Sequence, residues 1–205
     1  MHIAEGVLSW WVLTGGGVAG GTGVAIGLVK MKNEEIPKVA ILTSGFFIAS
    51  LIHIPIGVTS AHLVLNGLTG ILLGWLSFPA IFIGLTLQAL LFQFGGLTTL
   101  GVNTFNMAIP AVISFYLFGW GVKRENRFLS LVCAALAGGS SVLLSAILTA
   151  LSLSLSGKAF NEIAIALVGA HLPIAIAESI ITAVTVGFLR TVKPEIFWIR
   201  RTENE

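Results

Sequence analysis

Long apolar runs separated by short polar segments cover most of this chain. A helix that crosses a bilayer needs about 20 apolar residues, with a usual range of roughly 17–25. Charged clusters and Pro/Gly turns divide the chain into seven candidate spans: 7–29, 38–57, 62–77, 79–95, 99–122, 128–153 and 163–190. We therefore expect an all-α polytopic membrane protein, with residues 1–190 forming one transmembrane domain and residues 191–205 a tail.

The composition supports the same class. Of the 205 residues, 56% are hydrophobic and 10% are charged, whereas average usage is about 25% charged. The formal net charge of +2 is too small to suggest a nucleic-acid partner. The single Cys133 excludes an internal disulfide. No basic region precedes the first apolar run, so we expect no signal peptide and Met1 as the mature first residue.

The basic residues predict the orientation of the bundle. With seven spans, one side of the membrane receives ten of them: Lys30, Lys32, Lys38, Lys123, Arg124, Arg127, Arg190, Lys193, Arg200 and Arg201. The other side receives only Lys158. Because cytoplasmic loops carry an excess of Lys and Arg, we expect the N-terminus outside and the C-terminus in the cytoplasm.

The first apolar run is rich in glycines four residues apart, namely Gly16/Gly20, Gly17/Gly21 and Gly23/Gly27. Small residues at this spacing let another helix approach closely. Packing inside the bundle is the simpler interpretation, and docking onto a partner subunit is the alternative.

Polar groups within the predicted spans are few, and such groups are often functional. They are His53, His62, Asn103, Asn106, His171 and Glu178. By the predicted topology all four histidines, counting His2, lie in the outer half, and Glu178 lies deeper. Structural roles remain open for each, because a buried histidine is more often a hydrogen-bonding group than a ligand. Gln88 is interpreted as a packing or interhelical hydrogen-bonding residue.

The opening Met1-His2 pair has a distinct chemistry. A free amino terminus followed by histidine offers three nitrogens: the α-amino group, the amide nitrogen of His2 and its imidazole. A metal ion that displaces the amide proton closes fused chelate rings with them and leaves one position of a plane for a fourth nitrogen. Square-planar nitrogen sites favour Ni²⁺ or Cu²⁺, and imidazole also suits Co²⁺. Gly6 gives the chain freedom to fold back, and His62 is the best fourth ligand, with His53 second.

Four blocks, "MHIAEGVL", "SAHLVLNGLTGILLG", "GGLTTLGVNTFNMAIPA" and "HLPIAIAESIITA", resemble the signatures of the CbiM/NikM family. These proteins are the substrate-capturing membrane subunits of energy-coupling-factor transporters for cobalt and nickel. The resemblance implies that Met1, His2 and His62 supply the nitrogen ligands and that Asn103 and His171 surround them. It also implies seven helices with an external N-terminus in a prokaryotic cell membrane.

The resemblance further implies a division of labour. This subunit would bind Ni²⁺ or Co²⁺ outside as its transported ligand and need no cofactor. A transmembrane coupling subunit and two cytoplasmic ABC ATPases, often with a small accessory membrane protein, would drive release inside. The sequence has no G-x-x-x-x-G-K-[ST] phosphate loop, in agreement with ATP hydrolysis elsewhere.

Two other functions compete with this one. A membrane-embedded metalloenzyme would use His53, His171 and Glu178, but the sequence has no H-E-x-x-H motif. A channel or proton-coupled carrier acting alone would use Glu178 as its relay. The requirement for ATPase partners in transport distinguishes both from the first hypothesis.

Overall fold

The computed structural model describes residues 1–51 and 53–197, except for the side chains of residues 53–55. Helices form most of it, together with one antiparallel hairpin. The elements are α1 (Trp10–Lys30), α2 (Ile36–Ala49), β1 (His53–Ile56), β2 (Thr59–His62), α3 (Asn66–Leu73), α4 (Ser77–Phe92), α5 (Leu100–Val122), α6 (Arg127–Ser156) and α7 (Asn161–Val192).

Five helical stretches of the described chain are long and apolar enough to cross a membrane by length and composition: 10–30, 66–92, 100–122, 127–156 and 158–192. The protein is therefore a multi-pass membrane protein. With 14 residues, α2 is about 21 Å long at 1.5 Å per residue, which is shorter than the roughly 30 Å hydrocarbon core. The number of seven spans and the sidedness of the termini stay predictions.

A β-hairpin replaces the predicted helical ends around residue 57, so the bounds 38–57 and 62–77 are wrong. Strands β1 and β2 pair in register, with His53 opposite His62. Pro55 lies in β1, four residues before β2 begins. A proline disfavours helical backbone in the residue that precedes it, so a helix is not expected to continue to this point. Gly57, the first of two turn residues, has φ +57°, as a type II′ hairpin turn requires. Hydropathy missed the hairpin because the apolar residues of β1 continue the apolar run of α2.

The third and fourth helices separate at Gly74 rather than before Pro79. Gly74 has φ +56°, a conformation that glycine adopts at little cost, and a single 3-10 turn over 74–76 follows. Pro79 lies in the first turn of α4, where its missing N–H is not needed. The apolar run 66–92 thus contains two helices, and α4 brings Gln88 to the same end of the bundle as His2.

The bundle has two chemically different ends. The first, which we call the histidine end, is formed by residues 1–9, the hairpin, residues 93–99 and residues 157–160. Contacts tie these segments together: the amide of Ala4 donates to the carbonyl of Val58 at 3.1 Å, and that of Ser9 donates to Ser156 Oγ at 3.1 Å. The N-terminal segment is therefore packed within the fold.

The opposite, basic end is formed by residues 31–35, 74–76, 123–126 and 193–197. There Arg190 donates to the carbonyls of Val122 at 2.7 Å and Glu125 at 3.1 Å, and Lys38 Nζ donates to that of Leu72 at 2.6 Å. Arginine and lysine side chains thus donate hydrogen bonds to main-chain carbonyls near the helix ends on this side. The chain begins at the histidine end and α7 finishes at the basic end.

The glycines of α1 pack inside the bundle along one face. An added Cβ on Gly16 or Gly20 would collide with Val102 or Gly101 of α5, and one on Gly27 would collide with Pro79. The interpretation as internal packing is confirmed for this face, whereas Gly21 has open space around its Cα. After α7, residues 194–197 turn back and bury Phe197; residues 198–205 of the predicted tail lie outside the described residues.

Candidate functional site

The first three residues fill the interior of the histidine end. Met1 and Ile3 have no exposed surface, and His2 is only 4% exposed. Met1 belongs to the main core cluster, together with Val64 before α3 and Ala175 of α7. A chain terminus is normally solvated, so burying this one requires specific partners for its polar groups.

Hydrogen bonds from α5 hold the N-terminal segment in place. Asn103 accepts from the amide of Ile3 at 3.0 Å and donates to its carbonyl at 3.2 Å. Thr99 Oγ1 also donates to that carbonyl, at 2.9 Å. Gly6 has φ +75°, which confirms that a glycine is used where the segment turns toward α1. Glu5 anchors the turn by accepting from Thr98 Oγ1 at 2.9 Å.

The imidazoles of His2 and His62 stack on each other. Their ring centroids are 4.5 Å apart and their planes differ by 20°. Both side chains are buried, so two positive charges at this distance would repel strongly in a weakly screened environment. Protonation of both rings at once is therefore unfavourable, and the neutral imidazole is the form that binds metal ions.

His62 presents one nitrogen without a protein partner. Its Nδ1 lies 2.7 Å from the carbonyl of Leu63, so Nδ1 donates and Nε2 carries the lone pair. Nε2 is buried and has no hydrogen-bond partner. Burial holds the pKa of His62 well below 6.5, and positive charge on the amino terminus, on His2 and on His171 would lower it further. These groups therefore lie close enough to interact.

The amino group of Met1 is buried with the side chain. Burial lowers its pKa well below the ordinary 8.0, because the ammonium form loses its hydration. The neutral amine has a lone pair and can act as a metal ligand. The structure thus brings the amino terminus, His2 and His62 together.

His171 and Glu178 lie on α7 near this group but make separate contacts. His171 is buried, its Nδ1 lies 2.7 Å from the carbonyl of Leu167, and its Nε2 has no partner. Glu178 Oε1 accepts from the amides of Val64 at 2.5 Å and Leu65 at 2.8 Å. Glu178 therefore braces the chain just after His62.

The structure says less about the predicted roles of the other candidate residues, His53 and Asn106. The side chain of His53 lies outside the described residues; its main chain pairs with that of His62. The predicted position of His62 at the start of a helix is wrong, because it ends β2, four residues before α3. Asn106 lies one turn beyond Asn103 and donates to Ser152 Oγ at 3.1 Å, away from the N-terminal segment.

Main-chain nitrogens add to the side-chain donors at this place. Among the residues that the structure describes, no group of three His, Cys, Asp or Glu side chains is arranged to hold a metal ion. The amine of Met1 and the amide nitrogen of His2 are the additional nitrogens beside the two stacked imidazoles. This donor set is rich in nitrogen, as Ni²⁺ and Cu²⁺ prefer.

A small pocket gives access to His2. It has a volume of about 150 Å³ and lies between the N-terminal segment, the hairpin turn and the loop before α5; its lining includes Ala4, Gly57 and Phe94. Gly95, also in the lining, has φ +78°, and an added Cβ there would lie 3.3 Å from His2 Cβ. The loop can pass this close only because residue 95 has no side chain.

Gln88 is the residue whose role sequence reasoning missed. Its Oε1 lies 2.5 Å from His2 Nε2, and its Nε2 donates to Ser50 Oγ. The sequence interpretation of Gln88 as a packing or interhelical hydrogen-bonding residue includes hydrogen bonding but does not identify His2 as the partner. The available signal was weak: a glutamine in an apolar helix must find a partner, but the sequence does not say which.

Residues 2–196 match the family model described as "CbiM: Cobalt uptake substrate-specific transmembrane region". The chain is 39% identical over 210 residues to a putative metal transport protein of Haemophilus influenzae, covering 100% of this chain and 99% of that protein. It is 31% identical over 212 residues to the cobalt transport protein CbiM of Sorangium cellulosum, covering 96% and 94%. A crystal structure described as a transition metal transporter has a TM-score of 0.81 at 28% identity, covering 98% of this chain and 97% of that chain.

Proposed function

The chain belongs to the CbiM family, and we propose that it captures Ni²⁺ or Co²⁺ with high affinity outside the cell as the substrate-binding subunit of an energy-coupling-factor transporter. The observation that carries this proposal is the burial of the amino terminus beside the stacked rings of His2 and His62. A terminus with no role would be expected at the surface.

The proposed ligands are four nitrogens: the amine of Met1, the amide nitrogen and imidazole of His2, and the imidazole of His62. The first three belong to one short stretch of chain and form two fused chelate rings. His62 completes the set from the hairpin through Nε2, which has no protein partner. The ion is the transported substrate, and no cofactor is part of the proposal.

Import requires partners that supply energy. The sequence has no phosphate-binding loop, so ATP hydrolysis is assigned to two cytoplasmic ABC ATPases. A transmembrane coupling subunit would connect them to this chain, with a small accessory membrane protein in some systems. A prokaryotic cell membrane with the histidine end outside is the corresponding location.

The relatives' names as metal transport proteins support a transporter rather than an enzyme. The metalloenzyme alternative is not favoured, and Glu178, its candidate base, uses one carboxylate oxygen to accept two main-chain hydrogen bonds. The same contacts support a role for Glu178 in holding the chain rather than in relaying protons.

The decisive experiment changes the terminus and leaves every side chain in place. One residue added ahead of Met1 moves the free amine out of the chelate, and N-terminal acetylation removes its donor lone pair without adding a residue. We expect both proteins to lose high-affinity Ni²⁺ and Co²⁺ binding as completely as His2→Ala in calorimetric titrations. His62→Ala should weaken binding strongly. Normal binding by the extended protein would show that the amine is not a ligand.

A further inference from the structure

A chain of three hydrogen bonds joins the main chain of α2 to the imidazole of His2. Ser50 Oγ, just after α2, donates to the carbonyl of Phe47 at 2.8 Å. Gln88 of α4 donates from its amide nitrogen to Ser50 Oγ, and its amide oxygen faces His2 Nε2. Ser50 and Gln88 have no exposed surface, so water does not compete for these bonds.

The carbonyl of Phe47 determines which group donates and which accepts in each of these three hydrogen bonds. A carbonyl oxygen only accepts, so Ser50 must use its single hydroxyl proton on Phe47. The oxygen of Ser50 then accepts from the amide nitrogen of Gln88, which turns the amide oxygen of Gln88 toward His2. The imidazole must therefore donate its Nε2 proton, and a neutral ring with its proton on Nε2 has its lone pair on Nδ1.

From this arrangement we propose that Ser50 and Gln88 are positioning residues that set the tautomer of His2, so that Nδ1 is the nitrogen offered to the captured ion. The consequence for metal binding rests on the proposed function. The tautomer itself is a property of the metal-free protein. The opposite tautomer would place the Nε2 lone pair against the Gln88 oxygen, and two buried acceptors facing each other are unfavourable.

Nδ1 is the nitrogen that the amino-terminal chelate requires. Three carbons separate it from the amide nitrogen of the same residue, so an ion bound to both closes a six-membered ring. Nε2 lies on the far side of the imidazole and cannot close that ring. His62 has the opposite tautomer, because its Nδ1 donates a proton to the carbonyl of Leu63 and its Nε2 keeps a lone pair without a hydrogen-bond partner.

The first test reads the tautomer directly. The full chain is prepared metal-free in lipid nanodiscs with ¹⁵N-labelled histidine, and the ring nitrogens are assigned by comparison with His2→Ala. We expect the His2 proton on Nε2 in the wild type, loss of that preference in Gln88→Leu, and its retention in Gln88→Glu, which keeps an acceptor oxygen. A proton on His2 Nδ1 in the wild type would overturn the proposal.

The second test measures affinity on the same proteins by titration with Ni²⁺ and with Co²⁺. Loss of an outer partner of a metal-bound histidine typically weakens binding about 10- to 100-fold, and we expect this for Gln88→Leu, with recovery in Gln88→Glu. Ser50→Ala removes only a hydroxyl and carries the test if Gln88→Leu does not fold. Its matched control is Ser44→Ala, an exposed serine of α2 that also donates to its own helix, to the carbonyl of Ala40.

The outcomes are distinguishable. Unchanged tautomer and affinity in both Gln88→Leu and Ser50→Ala would overturn the positioning role. A wild type that binds neither ion but carries its His2 proton on Nε2 would contradict the proposed function and leave the tautomer assignment supported. An effect of Ser44→Ala as large as that of Ser50→Ala would show that any serine of α2 acts through helix stability, which would also overturn the role of Ser50.

Discussion

The side chain of Asn103 pairs with both main-chain polar groups of Ile3, accepting from the amide at 3.0 Å and donating to the carbonyl at 3.2 Å. The side chain of Asn103 thus makes the two main-chain hydrogen bonds that a neighbouring β-strand would otherwise make to the buried N-terminal segment. Only asparagine or glutamine can donate and accept in this way, and the contact fixes the residue that follows His2.

Asn103→Leu should therefore weaken Ni²⁺ binding by about 10-fold or more, the range found when groups that orient metal ligands are removed. The measurement is a metal titration of the purified protein in detergent. Asn106→Leu is the matched control, since Asn106 is buried on the same helix but bonds to Ser152. Equal losses of affinity in both variants would show that α5 as a whole, and not the pairing with Ile3, is responsible.

Glu178 should act through its acceptor oxygen. Glu178→Gln keeps an oxygen for the amides of Val64 and Leu65, and we expect it to bind Ni²⁺ or Co²⁺ nearly as the wild type does. Glu178→Leu leaves the buried amide of Val64 and the partly buried amide of Leu65 without an acceptor. An unsatisfied buried amide costs roughly 1–3 kcal/mol, so the melting temperature and the metal affinity should both fall.

Glu162→Gln at the exposed start of α7 is the control for charge removal and should change neither quantity. If Glu178→Gln keeps the fold but loses metal binding, the carboxylate must be counted as a ligand. The all-nitrogen site would then be wrong.

Gly95→Ala should disturb the site without removing a polar group from it. The backbone there has φ +78°, and the added Cβ would lie 3.2 Å from Asn103 Nδ2 and 3.3 Å from His2 Cβ. We expect lower thermal stability and weaker Ni²⁺ binding, measured on the same preparation. Gly169→Ala on α7, where nothing lies within 4 Å of the new Cβ, should leave both unchanged; unchanged behaviour of Gly95→Ala would mean that the loop relaxes away from His2.

The orientation of the bundle can be tested with single cysteines at its two ends. Lys158→Cys at the histidine end should react with a membrane-impermeant thiol reagent added to intact cells. Glu125→Cys at the basic end should react only after the cells are opened. The wild type is the control, because its Cys133 is buried. The reverse pattern would contradict the orientation predicted from the distribution of basic residues, and it would place the candidate site on the cytoplasmic face.

The sequence predicted the long helices well because each is one uninterrupted apolar run. The span predicted at 99–122 is α5 at Leu100–Val122, and charged residues mark its end. The hairpin at 53–62 escaped prediction because isoleucine, valine and threonine are as compatible with a strand as with a membrane helix. Pro55 and Gly57 were the available signal, and both were assigned to the end of a helix.

Prediction of the site was limited by distance along the chain. Met1 and His2 could be recognised because their donors are adjacent and their joint chemistry is local. Gln88 meets His2 across 86 residues, and no local pattern connects a glutamine in one apolar run with a histidine at the terminus. Contacts of this kind follow from the packing of helices, which hydropathy does not describe.

The burial of Met1 has a consequence for the order of assembly in the cell. The core cluster that includes Met1 also has members from α2, α4, α5, α6 and α7, so this cluster is incomplete until translation has passed residue 175. The N-terminal segment cannot make all of its native contacts during that time, because contacts between residues far apart in the chain form slowly. We therefore expect residues 1–3 to be among the last to reach their native position, and a bulky group attached ahead of the buried Met1 to hinder that step.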